Sequence, residues 1–134
     1  MSPHERLAAL AGAWRTARVI RHAGGGTARF AGMSTWAPDG DGLRCVEAGR
    51  LSQGGAGFEA RRETLWRATD DGIEVRFSDS RPFHVIDGPH AQHDCPPDTY
   101  LLDYDWSGWP RWSVRWRVTG PRKDYRALTR YRPA

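Results

Sequence analysis

Lysine is nearly absent from this 134-residue chain: Lys123 is the single one, and every other strongly basic residue is arginine. Cysteine is almost as scarce. Cys45 and Cys95 are the only two, and neither stands in a CxxC. This excludes a zinc-ribbon or dithiol motif, and two thiols without a secretory leader predict a reduced, cytoplasmic protein. No apolar run approaches the roughly 20 residues of a membrane helix, so no membrane partner is expected. Gly24-Gly25-Gly26 lacks the Gly-Lys-Ser/Thr of a phosphate loop and reads as a hairpin tip. No local Ser/His/Asp or Cys/His spacing of a nucleophilic enzyme is recognisable. The net charge is +4, but the arginines alternate along the chain and sit among Asp and Glu. That pattern predicts solvated strand faces, Arg15, Arg18 and Arg21 among them, and no nucleic-acid partner.

What is abundant is aromatic. Seven tryptophans and a hydrophobic content of 39% suit one domain, residues 1–134, with a β-rich core. Ser2-Pro3-His4-Glu5 is a capping box with proline at the first helical position, so a short helix is expected over 3–11, stopped by Gly12. From Trp14 onward the period is two. Ile73-Glu74-Val75-Arg76-Phe77 and Trp112 to Val118 alternate without a break, and turn clusters such as Asp87-Gly88-Pro89 and Pro96-Pro97 separate about ten such segments. One helix cannot cover so much sheet, so the expected fold is all-β: an antiparallel barrel of eight to ten strands with a short N-terminal helix.

Two sets of residues carry a resemblance. Gly12-Ala13-Trp14 after a short helix is similar to the G-x-W of lipocalin-like (calycin) barrels. That resemblance implies a tryptophan plugging the barrel base under an arginine from the last strand, with Arg130 first and Arg126 second as candidates. Phe83-His84, His93 to Tyr100 and Gly120 to Tyr125 resemble DUF6314, a bacterial family of unknown function. The resemblance supports the fold and implies no activity.

Turn arithmetic locates a candidate site. A four-residue loop at Asp87–His90 pairs His84 with His93, a turn at Pro96-Pro97 pairs His93 with Tyr100 and Cys95 with Asp98, and a turn at Asp79-Ser80 pairs Phe77 with Pro82 and Val75 with His84. The row Val75, His84, His93, Tyr100 then faces the apolar interior. His84, His93 and Tyr100 are the candidate catalytic residues, since histidine and a phenol in a dry cavity can transfer protons. Arg62 and Arg122 are candidate partners for an acidic ligand, with Lys123 guiding it; Asp98 and Asp124 can orient a histidine; Cys95 and Trp116 complete the ligand-binding set. His84, His93 and Cys95 lack the quartet of a closed metal site, so no metal is assigned and the cofactor is left open. The expected function is small-molecule binding. The alternatives are proton-transfer catalysis of the isomerase, cyclase, dehydratase or decarboxylase kind, a haem- or metal-binding barrel, and a purely structural network. Trp106, Trp109 and Trp112 read as a mouth or an outer patch, which would suit a homodimer.

Overall fold

The structure, a computed structural model, describes all of residues 1–134. Helix α1 (Pro3–Leu10) begins as its capping box dictates: the Glu5 amide donates to the Ser2 hydroxyl and the Ser2 amide to the Glu5 carboxylate, both at 3.1 Å. Leu7 and Leu10 are buried. Gly12, at φ +117°, turns the chain directly into the first strand, a conformation that favours glycine. The Trp14 indole then donates to the Leu10 carbonyl at 2.9 Å, which satisfies one of the open acceptors at the helix end.

Ten strands follow: β1 (Gly12–His22), β2 (Thr27–Asp39), β3 (Gly42–Gln53), β4 (Ala56–Ala68), β5 (Ile73–Phe77), β6 (Pro82–Ile86), β7 (His90–Cys95), β8 (Asp98–Asp105), β9 (Trp112–Thr119) and β10 (Asp124–Pro133). They form one antiparallel sheet in the order β6-β5-β4-β3-β2-β1-β10-β9-β8-β7. The first and last strands pair, so the meander wraps into a nearly closed barrel. Its seam lies between β6 and β7, the two ends of the order. Those edge strands are short, five and six residues, which limits the run of unpaired backbone.

The expected row is partly formed. Val75 pairs with His84, His93 with Tyr100 and Cys95 with Asp98. His84 and His93 do not pair across a hairpin, because β6 and β7 share no ladder. Phe77 does not oppose Pro82 either. A register shift between Val75 and Arg76 sets Arg76 opposite Pro82, and Phe77 pairs with Thr64 of β4. The shift leaves Phe83 as the extra residue, so Phe83 and His84, although consecutive, are both buried.

The end of the barrel under α1 is filled by rings. Trp112 stacks on Tyr131 at 3.9 Å between centroids, and Trp36 meets Trp66 edge-on at 5.4 Å. Trp106 and Trp109 are half-buried against this cluster and form neither a mouth nor an outer patch. The arginine over the aromatics comes from the helix: the Arg6 guanidinium lies 4.3 Å from the Trp106 ring and 5.0 Å from that of Trp109. Arg130 is exposed on the outer wall, between Ala17 and Ser113.

Above this plug, Gly32 of β2 and Gly49 of β3 face each other. A Cβ on Gly32 would sit 2.2 Å from the Ala48 carbonyl oxygen, and one on Gly49 2.2 Å from that of Ala31. Both obstacles are backbone, so a side chain there must push two strands apart. Gly49→Ala should therefore cost about 1–3 kcal/mol, read as a lower midpoint in thermal unfolding followed by tryptophan fluorescence. An unchanged midpoint would show that the strands yield freely.

Candidate functional site

In the half of the interior away from the helix an ion-pair triad sits among apolar and aromatic side chains. Alternation along β1 puts Trp14, Thr16 and Arg18 on one face, and the Gly54-Gly55 turn sets Glu47 opposite Arg62. Arg18 Nη2 donates to Glu47 Oε1 at 2.6 Å, and Arg18 Nε to the Thr129 hydroxyl at 2.7 Å. Arg62 Nε pairs with Glu47 Oε2 at 2.5 Å. Glu47 is buried and thus holds two guanidinium groups at once. Arg18 is not on a solvated face; it points inward. The triad carries a net positive charge inside the protein.

Arg62 is hemmed in by protein atoms, yet 47% of its side-chain surface is exposed, so it borders open space inside the mouth. Burial opposes its charge, but Glu47 and the nearby Tyr131 outweigh that effect, so its pKa is raised. Its guanidinium carbon lies 5.3 Å from the Trp116 ring. Trp116 is flanked by Phe83 (5.6 Å) and Tyr100 (6.5 Å), and Phe83 by Phe77 (4.7 Å) and His93 (5.2 Å). The result is an aromatic lining with one partly open cation. At the rim, the Lys123 ammonium donates to the Tyr100 hydroxyl at 2.9 Å and pairs with Asp98 at 3.1 Å; these two bonds raise its pKa.

His84 sits deeper. Its Nε2 shares a hydrogen bond of 2.8 Å with the Tyr104 hydroxyl, not with Tyr100 or His93. Burial, then the nearby His93 and Arg62, push its pKa down to about 3, so the ring is neutral near pH 7. Burial and Tyr131 likewise hold the Tyr104 phenol well above its ordinary pKa. His84 Nδ1 and Trp116 Nε1 are buried with no hydrogen-bond partner in the protein, as are Trp36 Nε1 and Trp112 Nε1. Buried polar atoms are seldom left so. Beside His84 and Phe83, the β6–β7 seam forms a groove of about 450 Å³ reaching His90 and Gln92.

The structure thus gathers His93, Tyr100, Asp98, Lys123, Trp116 and Arg62 near the mouth, with His84 below them. It does not bring in three of the expected residues. Cys95 is exposed. Arg122 is exposed on the β9–β10 turn. Asp124 pairs outside with Arg117 at 2.6 Å. No group of three His, Cys, Asp or Glu side chains converges as a metal site would require. Arg18, Glu47, Phe83 and Tyr104 are additions. The first two were within reach of the same turn arithmetic applied to β1 and β3, whereas Phe83 depends on the register shift.

His84 ties stability to acidity. Its pKa is lower folded than unfolded, so between about pH 6.5 and 3 the unfolded chain binds the extra proton and folding weakens as pH falls. The slope contributed is at most about 1.4 kcal/mol per pH unit. Urea unfolding at pH 6.5 and pH 4.5 should show a larger loss for the natural protein than for His84→Gln; equal losses would remove His84 as the cause.

No curated protein matches the chain. Among solved structures it is similar to the S-type phycobiliprotein lyase CPES from Guillardia theta, at 8% identity and a TM-score of 0.64, covering 100% of this chain and 93% of that one. At that identity the likeness shows the fold, a calycin-like barrel, and no shared chemistry. No helix is long and apolar enough to cross a membrane. The family model described as a family of unknown function, DUF6314, matches residues 10–133, nearly the whole chain, and the chain belongs to that family.

Proposed function

We propose that the barrel binds a small, flat, partly apolar molecule carrying a carboxylate or similar anion, ring-first into the aromatic lining and with its charge on Arg62. The observation that carries this reading is the triad. Two guanidinium groups face one carboxylate, and the guanidinium with exposed surface is the one that lies over Trp116. A buried net charge is costly unless paired, and a guanidinium can offer an anion two parallel hydrogen bonds. Phe83, Trp116 and Tyr100 supply ring faces for offset or edge contacts. The orphan nitrogens of His84 and Trp116 suit a ligand with polar atoms spaced along a ring system. The solved neighbour, a phycobiliprotein lyase, shares the barrel fold.

A second reading, proton-transfer catalysis, is favoured by the Lys123–Tyr100 hydrogen bond. An ammonium donating to a phenol oxygen leaves the phenol O–H free to donate to a ligand. In that reading Tyr100 is the acid, His93 its neighbour, and His84 a neutral hydrogen-bonding residue. Turnover that survives Tyr100→Phe would sink it.

Binding is tested with two dyes of similar shape, anionic 8-anilinonaphthalene-1-sulfonate and neutral N-phenyl-1-naphthylamine. The natural protein should bind the anionic dye more tightly. Arg62→Gln should weaken that dye about tenfold to a hundredfold, the worth of a hydrogen bond to a charged group, and leave the neutral dye nearly unchanged. Equal affinity of Arg62→Gln and the natural protein for the anionic dye would overturn the proposal.

A further inference from the structure

The outer wall of the barrel divides into two halves of different electrostatics. On β3, β4 and β5 all the outward arginines but Arg50 are paired with carboxylates. Arg44 pairs with Asp39, Arg61 with Glu63, and Arg67 and Arg76 with Glu74. On β2, β1, β10 and β9 they are mostly not, and the neighbouring β8 adds one outward carboxylate to the groove, Asp103, opposite Arg115. Arg21, Arg126 and Arg117 lie directly opposite one another on three adjacent strands. The next row sets Arg29 and Arg115 on either side of Val19 and Leu128. Arg130, and the opposed pair Arg15 and Arg132, extend the field toward the helix end. Of these eight arginines Arg117 alone is ion-paired, to Asp124.

Like charges directly opposed across strands destabilise a sheet, and strands lie only about 4.8 Å apart. An anionic partner removes that cost. The wall bears a shallow groove of about 750 Å³ running from Arg21 and Arg29 to Arg115 and Leu101. Apolar side chains interleave with the charges: Leu101 is 47% and Met33 37% exposed, and Val19 and Leu128 are half-buried.

We propose that this wall docks an acidic protein surface whose carboxylates alternate with apolar side chains. Its composition favours protein over other polyanions. Arginine and methionine are enriched, and lysine depleted, at protein interfaces. A site for single-stranded nucleic acid would present aromatic rings for base stacking, and every tryptophan here is turned inward or lies in the plug at the helix end. The wall lies outside the cavity, so a partner seated there leaves the mouth free, and this inference stands apart from the ligand proposal.

The test uses the full chain and a variant carrying Arg21→Gln, Arg115→Gln and Arg126→Gln, none of which touches the interior. The probes are a synthetic peptide of alternating glutamate and leucine, a random-sequence DNA duplex, and phosphatidylglycerol vesicles, at about 0.15 M salt so that only close charges count. The natural protein should bind the peptide more tightly than the duplex or the vesicles, and the variant should lose at least about tenfold of the peptide affinity with a thermal midpoint no lower than that of the natural protein. Equal peptide binding by the two proteins, or tighter binding of the duplex or the vesicles, would overturn the proposal.

Discussion

The alternation of side chains along a strand, once the sheet is wrapped, is the constraint from which the rest follows. With a period of two, Arg18 cannot avoid the interior while Trp14 and Thr16 occupy it, and Glu47 cannot avoid facing Arg62 once the Gly54-Gly55 turn is set. The barrel therefore contains three charges. Hydrophobic residues of similar volume would fill the space at no greater cost, so a buried ion triad is poor evidence for stability in itself. What it secures is a fixed, net-positive position at mid-height in the cavity, with Thr129 as an added hydrogen-bond partner of Arg18.

The two ends of the interior divide the labour. Under the helix, Trp14, Trp36, Trp66, Trp112 and Tyr131 pack ring against ring, and Arg6 covers Trp106 and Trp109 from above. Aromatic burial on this scale is the main source of stability in so small a domain. At the mouth, Phe83, Trp116 and Tyr100 give ring faces without closing the space, because Gly32, Gly49 and Ala60 leave one stretch of wall without bulk. His84 lies between the two regimes. It is buried enough to be neutral, it is tied to Tyr104, and it keeps one unpartnered nitrogen.

Much of the fold was legible because each local signal agreed with the others. The Ser2–Glu5 capping box, the ten alternating segments and the turn clusters all reappear as α1 and β1–β10. The Pro96-Pro97 turn gave the His93–Tyr100 and Cys95–Asp98 pairs correctly. Where the sequence misleads, a non-local fact intervenes. The seam between β6 and β7 is a property of closure, and the Asp87–Pro89 loop does not reveal that it joins two edges rather than a hairpin. The register shift near Arg76 changes Phe83 from outward to inward, and nothing in Arg81-Pro82-Phe83 marks it. Arg18 misleads for another reason: arginine is by composition a surface residue, whereas the strand's own phase turns this one inward.

Arg62 is the proposed seat of an anion inside the barrel. The most direct measurement is NMR of the arginine Nε–H groups during titration with 8-anilinonaphthalene-1-sulfonate, assigned through Arg62→Gln and Arg18→Gln. The Arg62 signal should move and saturate near one equivalent of dye, with Arg18 following through Glu47 and the outer-wall arginines still. Dye binding that leaves Arg62 unmoved and shifts the outer-wall signals instead would contradict it.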